Sequence, residues 1–362
     1  MVTILLFIVA FFFTMNIGAS GAAATMGIAY GSNAVKNRRI ALMLCGIGVF
    51  LGAILGGGEV VKTLGSKIVP ENMISINIAL IILSSASISL FIANVSGIPL
   101  STSEVTVGAV IGVGIAFDAL FVDTLMTILL YWILVPIIAF FLAYFTNQGI
   151  KLLKRTSSFP LNRKWSRFLA IAVVLTGFLE AFAAGMNNVA NSVGPLVASG
   201  LINLSQATIY GGLFVALGAI FLGGKVIETN GKKITNLSLL QGGTVSGIGA
   251  ILVMIASLFG IPVPQTQITT CSILGVGVSD HGKALWKNTT IIKLVKTWLI
   301  SPIISLVLSY NLVKVFIESD YSGLLMMSIF IVVVYAVGVW KPNKINRPFY
   351  KEKAVAKKLG GS

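Results

Sequence analysis

The stretch from Gly97 to Gly114 reads GIPLSTSEVTVGAVIGVG, and a diverged copy, GIPVPQTQITTCSILGVG, runs from Gly260 to Gly277. Each copy has a Gly-Ile-Pro break, a cluster of hydroxyl or amide side chains, and an apolar run that ends in Gly-x-Gly. Because proline interrupts a helix, the small polar residues after it predict a new helix that begins with unpaired backbone N–H groups. Such a helix start inside a membrane attracts anions. Two copies of the stretch predict a chain built from two related halves.

The overall composition places these breaks in a membrane protein. The chain has 362 residues, of which 56% are hydrophobic and 10% are charged, and its mean hydropathy is +0.96. Since one span needs roughly 20 apolar residues, we predict an all-α polytopic membrane protein with about eleven membrane-crossing or re-entrant segments. The formal net charge of +15 comes from basic residues in short loops and the tail, which is typical of cytoplasmic loops rather than of a nucleic-acid-binding surface. Membrane lipid is therefore an expected partner, and nucleic acid is not.

The two halves are predicted to insert into the membrane in opposite orientations. Pro99 aligns with Pro262 at an offset of 163 residues, and Gly18 aligns with Gly185 at an offset of 167. An odd number of spans in each half, about five here, makes the copies an inverted repeat. Further helix breaks are predicted near Gly18 and beside Asn187.

Loop charges give an independent indication of the same arrangement. The loop with Asp118 and Asp123 is acidic, whereas its counterpart carries Lys283 and Lys287. Because basic loops remain in the cytoplasm, we predict a protein of the cytoplasmic membrane with its N-terminus outside and its C-terminus in the cytoplasm. The predicted domains are a first inverted repeat (1–146), a basic cytoplasmic linker (147–167), a second inverted repeat (168–313), an additional span (321–340) and a basic cytoplasmic tail (341–362).

Inverted repeats with broken helices are typical of secondary transporters, which bind substrate near the membrane midplane and release it to either side. We therefore predict a permease that works by alternating access. The spans contain no His, Glu and Asp cluster with metal-ligand spacing and no Ser/His or Cys/His pair, so an enzyme is not expected. An anion channel stays open as an alternative, and a failure to accumulate substrate against its gradient would support it.

Four polar clusters are predicted to form the substrate site, and all of them offer uncharged donors. A dianion such as sulfate carries no proton at neutral pH, so neutral donors and helix N-termini without an ionised carboxylate nearby would suit it best. Small polar residues in apolar helices also hold helices together, and that alternative stays open for each residue. The predicted substrate-binding residues are Ser20, Gly21, Ser101, Thr102, Ser103, Asn187, Asn188, Asn191, Gln265, Thr266 and Gln267.

Two acidic residues at membrane depth are candidates for ion coupling, because charge there is costly. Glu104 lies one turn after the first break, and Glu180 lies two turns before Asn187. A protonated Glu104 would donate to sulfate and an ionised one would repel it, which predicts coupled entry of a proton and the anion; an acid that pairs with the unpaired N–H groups of its own helix start is the alternative. No cofactor is expected. If sodium is the coupling ion instead, its predicted neighbours are Asn187, Asn191, Thr106 and Thr269.

Charged residues also stand at equivalent span ends of the two halves. Glu59 with Lys62, and Glu228 with Lys225, are each predicted to form a local ion pair. A gate would fit the same residues.

Two motifs resemble those of a known transporter family. GMNNVANS, which begins at Gly185, resembles the GANDVANA signature of the inorganic phosphate transporter (Pit) family, and the stretch from Gly97 resembles its PxSTTHxxxGAxxGxG signature. The two Asp positions of the family are Gly21 and Asn188 here, and the two His positions are Glu104 and Gln267.

These departures resemble the branch of sulfate permeases related to Pit proteins. The resemblance implies a sulfate permease, a homodimer, and separate transport and scaffold parts. The alternatives are an inorganic phosphate symporter, or a permease of thiosulfate, selenate or molybdate.

Overall fold

The computed structural model describes residues 1–95, 100–156, 163–228, 237–282 and 289–324. Within these ranges every regular element is a helix, and seven helices are long and apolar enough to cross a membrane. The predicted class, an all-helical multi-pass membrane protein, is therefore confirmed.

The helices of the two halves follow each other in a matching order. The first half comprises α1 (Val2–Ile17), α2 (Ala23–Thr25), α3 (Gly27–Gly31), α4 (Arg38–Gly56), α5 (Gly58–Lys62), α6 (Ile76–Val95), α7 (Thr102–Ala116) and α8 (Val122–Thr156). The second half comprises α9 (Arg163–Ala198), α10 (Leu204–Leu222), α11 (Gly224–Glu228), α12 (Leu239–Leu258), α13 (Gln265–His281) and α14 (Thr289–Phe316).

Helices α7 and α13 begin after the two Gly-Ile-Pro breaks, as predicted. They have 15 and 17 residues, so at 1.5 Å per residue they rise roughly 22 to 26 Å, less than the ~30 Å hydrocarbon core. Both are thus half-helices that start inside the protein. Ser101 caps α7 in an extended conformation, and its hydroxyl accepts a hydrogen bond from the Glu104 amide at 3.5 Å.

The predicted break near Gly18 and the one beside Asn187 turn out differently. The first is a widened π-helical turn (Gly18–Ala22) that joins α1 to α2. The second is wrong, because α9 runs without interruption through Asn187 and even contains Pro195. Sequence symmetry alone therefore overestimates the structural symmetry here.

Close glycine contacts hold the centre of the fold together, in two equivalent crossings. A Cβ on Gly18 would lie 2.0 Å from the carbonyl oxygen of Val215 in α10. A Cβ on its counterpart, Gly185 of α9, would lie 2.0 Å from the carbonyl oxygen of Val49 in α4. Only glycine allows backbones to approach so closely, and each crossing joins helices of opposite halves.

The last long helix of each half covers the half-helix of the other. On α7, a Cβ at Gly108 would lie 2.3 Å from the carbonyl oxygen of Pro302 in α14. On α13, a Cβ at Gly275 would lie 2.2 Å from the carbonyl oxygen of Phe140 in α8. The halves are interlocked as a consequence, because each half-helix is in close backbone contact with a long helix of the other half.

The predicted domain boundaries at 146 and 168 fall inside helices. Helix α8 continues to Thr156 and α9 begins at Arg163, so most of the predicted linker (147–167) is helical and residues 157–162 lie outside the described residues. The additional span (321–340) is described only to Leu324, and the tail (341–362) lies outside the described residues.

Contacts between loop regions show which helix ends lie together. Lys151 pairs with Asp280 at 2.8 Å, which brings the end of α8 to the end of α13. In a second group of helix ends, the Phe121 amide donates to the Ile68 carbonyl at 2.9 Å. This bond brings the loop after α7 next to the segment after α5. Which group faces the cytoplasm stays a prediction.

The ion pairs at the span ends divide into one confirmed and one wrong prediction. Lys62 pairs with Glu59 at 2.6 Å, as expected. Glu228 instead pairs with Arg38 of the first half at 2.6 Å, and not with Lys225. The guanidinium at the start of α4 reaches the end of α11 because α4 and α10 pack side by side across the two halves.

Candidate anion site

The polar clusters of the two halves meet where α7 begins against the middle of α9. Thr102 donates to the Oδ1 atom of Asn188 at 3.2 Å, and Ser103 donates to the Oδ1 atom of Asn187 at 3.1 Å. The Nδ2 atom of Asn191 donates to the hydroxyls of Thr102 at 3.1 Å and Ser103 at 3.3 Å. All five side chains are buried. Hydroxyls of the first half are therefore bonded directly to amides of the second.

Asn187 has a full set of hydrogen bonds within the protein. Its Nδ2 atom donates to the Ser257 hydroxyl at 3.1 Å and to the Ile261 carbonyl at 3.2 Å. Its Oδ1 atom accepts from Ser103 and from the Val263 amide at 3.3 Å. An asparagine amide offers two donors and one oxygen with two lone pairs, so nothing is left over for a ligand. Asn187 holds the break before α13 against the start of α7.

Ser257 is a polar contact of this site that the sequence did not single out. It lies on α12, three residues before Gly260, and its own hydroxyl donates to the Val253 carbonyl at 2.7 Å. The available signal was its position, since a buried serine directly before a helix break is well placed to contact the residues around the break.

Asn188 links the α7 hydroxyls to the second break. Its Nδ2 atom donates to the Oε1 atom of Gln265 at 3.0 Å, and the Nε2 atom of Gln265 donates to the Glu180 carbonyl at 3.4 Å. A Cβ on Gly21 would lie 3.6 Å from the same Nδ2 atom. Asn188 and its sequence counterpart Gly21 are thus neighbours in space.

Ser20 and Thr266 stand apart from this network. Both are half-buried. The Ser20 hydroxyl donates at 2.8 Å to the Asn16 carbonyl of its own helix, and the Thr266 carbonyl accepts from Thr270 at 2.7 Å. Among the described residues, no hydrogen bond joins either side chain to the amides of α9, so their predicted role in substrate binding stays a prediction.

The Glu104 carboxylate of the first half accepts two hydrogen bonds from the second half. Glu104 is 2% exposed, and its Oε1 atom accepts from the Nε2 atom of Gln267. Its Oε2 atom accepts from the Ser301 hydroxyl at 2.8 Å. Glu104 and Gln267 are sequence counterparts, so equivalent positions of the two half-helices contact each other. No hydrogen bond among the described residues joins Glu104 or Gln267 to the α9 amides, although both were predicted to lie beside the anion.

The second buried acid, Glu180, has separate partners. Its Oε1 atom accepts from the Thr269 hydroxyl at 2.8 Å, and its Oε2 atom has no hydrogen-bond partner among the described residues. Thr269 was predicted to lie beside a sodium ion, and in the structure its hydroxyl is hydrogen-bonded to Glu180.

Two buried oxygens at the predicted sodium position have no hydrogen-bond partner among the described residues. They are the Oδ1 atom of Asn191 and the hydroxyl of Thr106. Thr106 lies one turn beyond Thr102 on α7, and Asn191 is bonded to Thr102. Hard cations take oxygen ligands, so each of these atoms is of a type that sodium binds. No group of three or more His, Cys, Asp or Glu side chains that could hold a metal ion occurs in the described part of the chain.

These features define the class of the protein. Interlocked membrane-spanning helices enclose two half-helices, and a buried, uncharged polar network lies between them, so the protein is a membrane transporter. The family model described as "Phosphate transporter family" matches residues 17–309, and the chain belongs to this family. The family resemblance in the sequence is thereby confirmed.

Individual relatives include proteins named for two different anions. The chain is 49% identical to the sulfate permease CysP of Bacillus subtilis over 350 residues, which cover 97% of each chain. It is 28% identical to a putative phosphate permease of Pyrococcus furiosus, over 83% of this chain and 92% of the relative. Among solved structures it resembles "The sodium-dependent phosphate transporter", with a TM-score of 0.71, 24% identity and coverage of 86% of this chain and 98% of the other. This structural similarity supports the fold.

Proposed function

We propose that the protein is a secondary active permease that imports sulfate across the cytoplasmic membrane by alternating access. The observation that carries the proposal is the buried contact of Asn188 and Asn191 with Thr102 and Ser103, four uncharged side chains from two halves. Hydroxyl and amide donors beside the positive end of a helix are what a fully deprotonated dianion requires. The high identity to a sulfate permease supports the same substrate.

The positions that carry aspartate in the family signature explain why sulfate is favoured over phosphate. They are Gly21 and Asn188 here, and the two residues lie side by side. Hydrogen phosphate carries a proton that a carboxylate can accept, whereas sulfate has no proton to donate and would be repelled. An uncharged pair at this place therefore suits sulfate. Phosphate remains the second candidate because of the family and the Pyrococcus relative.

Within this site we assign different roles to the predicted binding residues. Asn187, Ser101 and Gln265 are engaged in holding the two helix starts in place. Thr102, Ser103, Asn188 and Asn191 are the proposed ligands, because their mutual hydrogen bonds can be exchanged for bonds to sulfate oxygens.

Uptake into proteoliposomes tests the substrate directly. Purified protein should accumulate radiolabelled sulfate against its gradient, and unlabelled sulfate should compete far better than unlabelled phosphate. Thiosulfate, selenate and molybdate, as tetrahedral or near-tetrahedral oxyanions, should compete to intermediate degrees. Equal competition by phosphate would favour the phosphate symporter, and equilibration without accumulation would favour a channel.

We propose a proton as the coupling ion, with Glu104 as the group that carries it. Glu104 of α7 is buried and bonded to Gln267 of α13, so a change in its protonation changes the charge at the contact between half-helices of opposite halves. Glu104→Gln should abolish uptake driven by an imposed pH gradient while sulfate exchange is retained. Glu180→Gln is the matched comparison, because it removes the other buried acid. Loss of pH-driven uptake in Glu180→Gln alone would move the role to that residue.

Sodium is the alternative coupling ion, and the unpartnered oxygens of Asn191 and Thr106 favour it. A sodium gradient that drives uptake at constant pH, together with loss of this effect in Thr106→Val, would replace the proton in the proposal.

The orientation and the oligomer are further parts of the proposal. The N-terminus is proposed to lie outside, the C-terminus in the cytoplasm, and the protein to form a homodimer. Single cysteines introduced at Asp118 and Arg155, in a background without Cys45 and Cys271, should be labelled by an impermeant reagent from opposite sides. Light scattering in detergent should give the mass of two chains.

A further inference from the structure

We propose that Ser301 is a positioning residue that allows Glu104 to gain and lose its proton without rearrangement of the surrounding helices. The inference rests on the proposed proton coupling through Glu104. It assigns a role to a residue of the second half that neither motif contains.

The contact itself is short and fully enclosed. Ser301 lies on α14 directly before Pro302 and is 1% exposed. Its hydroxyl donates to the Oε2 atom of Glu104 at 2.8 Å, while Gln267 donates to the other oxygen. Each carboxylate oxygen thus has one donor, an arrangement that fits an ionised acid.

The two donors differ in what they can do when Glu104 takes up a proton. A hydroxyl carries one proton and two lone pairs, so Ser301 can rotate about its C–O bond and accept from the new carboxyl proton on Oε2. The Gln267 amide group would have to turn over completely to offer an acceptor at Oε1. Protonation at Oε2, with the Ser301 hydroxyl rotating from donor to acceptor, therefore keeps every heavy atom in place.

The other serines of α14 do not have this contact. Ser305 donates to the Val105 carbonyl at 2.5 Å, and Ser309 donates to the Leu306 carbonyl at 3.0 Å. Both are buried and follow Ser301 at intervals of four residues along the same side of the helix. Ser305 is thus a matched control, with equal chemistry and burial but no bond to the acid. The counterpart of Ser301 in the first half is the apolar Val135, where α8 covers α13.

The ionisable groups on the elements around Glu104 are few. Helix α6 has none. In the part of α14 whose side chains are described, Tyr310 is the first ionisable residue after Ser301. Helix α9 carries Glu180, whose carboxylate binds Thr269, and α13 carries Cys271 one turn after Gln267.

The test is the pH profile of sulfate uptake in Ser301→Ala, Ser301→Thr and Ser305→Ala proteoliposomes. Ser301 binds both forms of the acid, but a hydrogen bond to a charged group is stronger than one between neutral groups, so its loss should move the midpoint of the Ser301→Ala profile upward by about one pH unit. Ser301→Thr keeps the hydroxyl and should keep the midpoint, as should Ser305→Ala. In a Glu104→Gln background, Ser301→Ala should cause no further change in the profile.

The outcomes separate this inference from the proposed function. If Glu104→Gln flattens the profile and Ser301→Ala leaves it unchanged, Ser301 has no positioning role and the proton coupling stands. If Glu104→Gln keeps the wild-type profile, the proton coupling fails and this inference fails with it. Should Ser301→Ala not fold, Ser301→Cys offers a weak donor of similar size; a shift in the same direction supports the role, and an unchanged midpoint overturns it.

Discussion

The two halves of the protein place different chemistry at equivalent positions around the site. In the second half, an unbroken helix presents Asn187, Asn188 and Asn191; their counterparts in the first half are Ser20, Gly21 and Ala24, in and just after a π-helical turn. Glu104 of the first half faces its uncharged counterpart Gln267. The second half therefore supplies most of the amide donors. The first half supplies the acid, the hydroxyls of α7 and a surface of small residues.

This difference between the halves allows a site with a single acid at its centre. A site built from two identical halves would place two acids or two amides at each pair of equivalent positions. Here one acid meets one amide, which fits the proposed exchange of a single proton at the contact between the half-helices. The scaffold, in contrast, keeps its symmetry, since the Gly18 and Gly185 crossings are equivalent to within the distances given above.

The largest expected effect comes from restoring a carboxylate at the aspartate positions of the family signature. Asn188→Asp and Gly21→Asp should each lower sulfate uptake by at least about 100-fold, because a full negative charge next to a dianion costs several kcal/mol. Initial uptake rates in proteoliposomes measure this. Gly21→Asn is the matched control of equal size without charge, and a loss as large as that of Gly21→Asp would mean that space, not charge, is decisive.

A second substitution pair compares Asn187 with its counterpart Ser20. Asn187→Ala leaves the Ser257, Ile261 and Val263 groups without their partner, so stability should fall by about 2 to 4 kcal/mol. Ser20→Ala removes only a bond within its own helix, and stability should change by less than about 1 kcal/mol. Thermal unfolding in detergent measures both. Equal melting temperatures for the two variants would contradict the structural role of Asn187.

A third substitution removes a hydrogen bond between α8 of the first half and the helix break before α13 of the second half. The Nε1 atom of Trp132 in α8 donates to the Pro262 carbonyl at 2.8 Å. Trp132→Phe removes this one neutral bond, worth about 1 kcal/mol, and should reduce the uptake rate by about threefold to tenfold. Leu130→Ala, at an exposed position of the same helix, is the control. A loss confined to Leu130→Ala would show that the break does not depend on Trp132.

The smallest effects are expected at the charged span ends. The hydrogen bond from Lys62 lowers the pKa of Glu59, so the stability that this pair contributes is present above the unfolded-state pKa and is lost as the pH falls through the folded-state pKa. Both Glu59 and Glu228 are about half exposed, so Glu59→Gln and Glu228→Gln should each cost no more than about 1 kcal/mol. Melting temperatures of the two variants measure this. If Glu228→Gln alone lost stability, the Arg38–Glu228 pair would have a larger role than expected.

The positions of the half-helices and the family were predictable from the sequence. The Gly-Ile-Pro breaks, the apolar runs and the paired motifs are local features, and a proline or a polar cluster acts on the chain where it stands. The sequence also indicated that Thr102 and Ser103 lie near the α9 amides, because equivalent polar segments of a two-fold repeat meet at its centre, although the predicted break in α9 was wrong.

The partners of individual side chains were not predictable in this way. Whether Asn187 binds a ligand or Ser257, and whether Glu228 pairs with Lys225 or Arg38, depends on the rotation of one helix against another. The continuity of α9 past Asn187 was missed as well, since its packing against α4 and α12 supports an unbroken helix where the equivalent first-half segment widens into a π turn.

The sequence by itself determined a membrane protein of two related halves, with two helix starts inside the membrane and an uncharged cluster of donors beside them. It could do so because hydropathy, proline and chain symmetry act over short distances along the chain. Only the tertiary structure decided that each half-helix is covered by the other half and that Glu104 contacts Gln267 and Ser301. These pairings join residues more than a hundred positions apart, and they are fixed by close glycine packing between helices that no local pattern encodes.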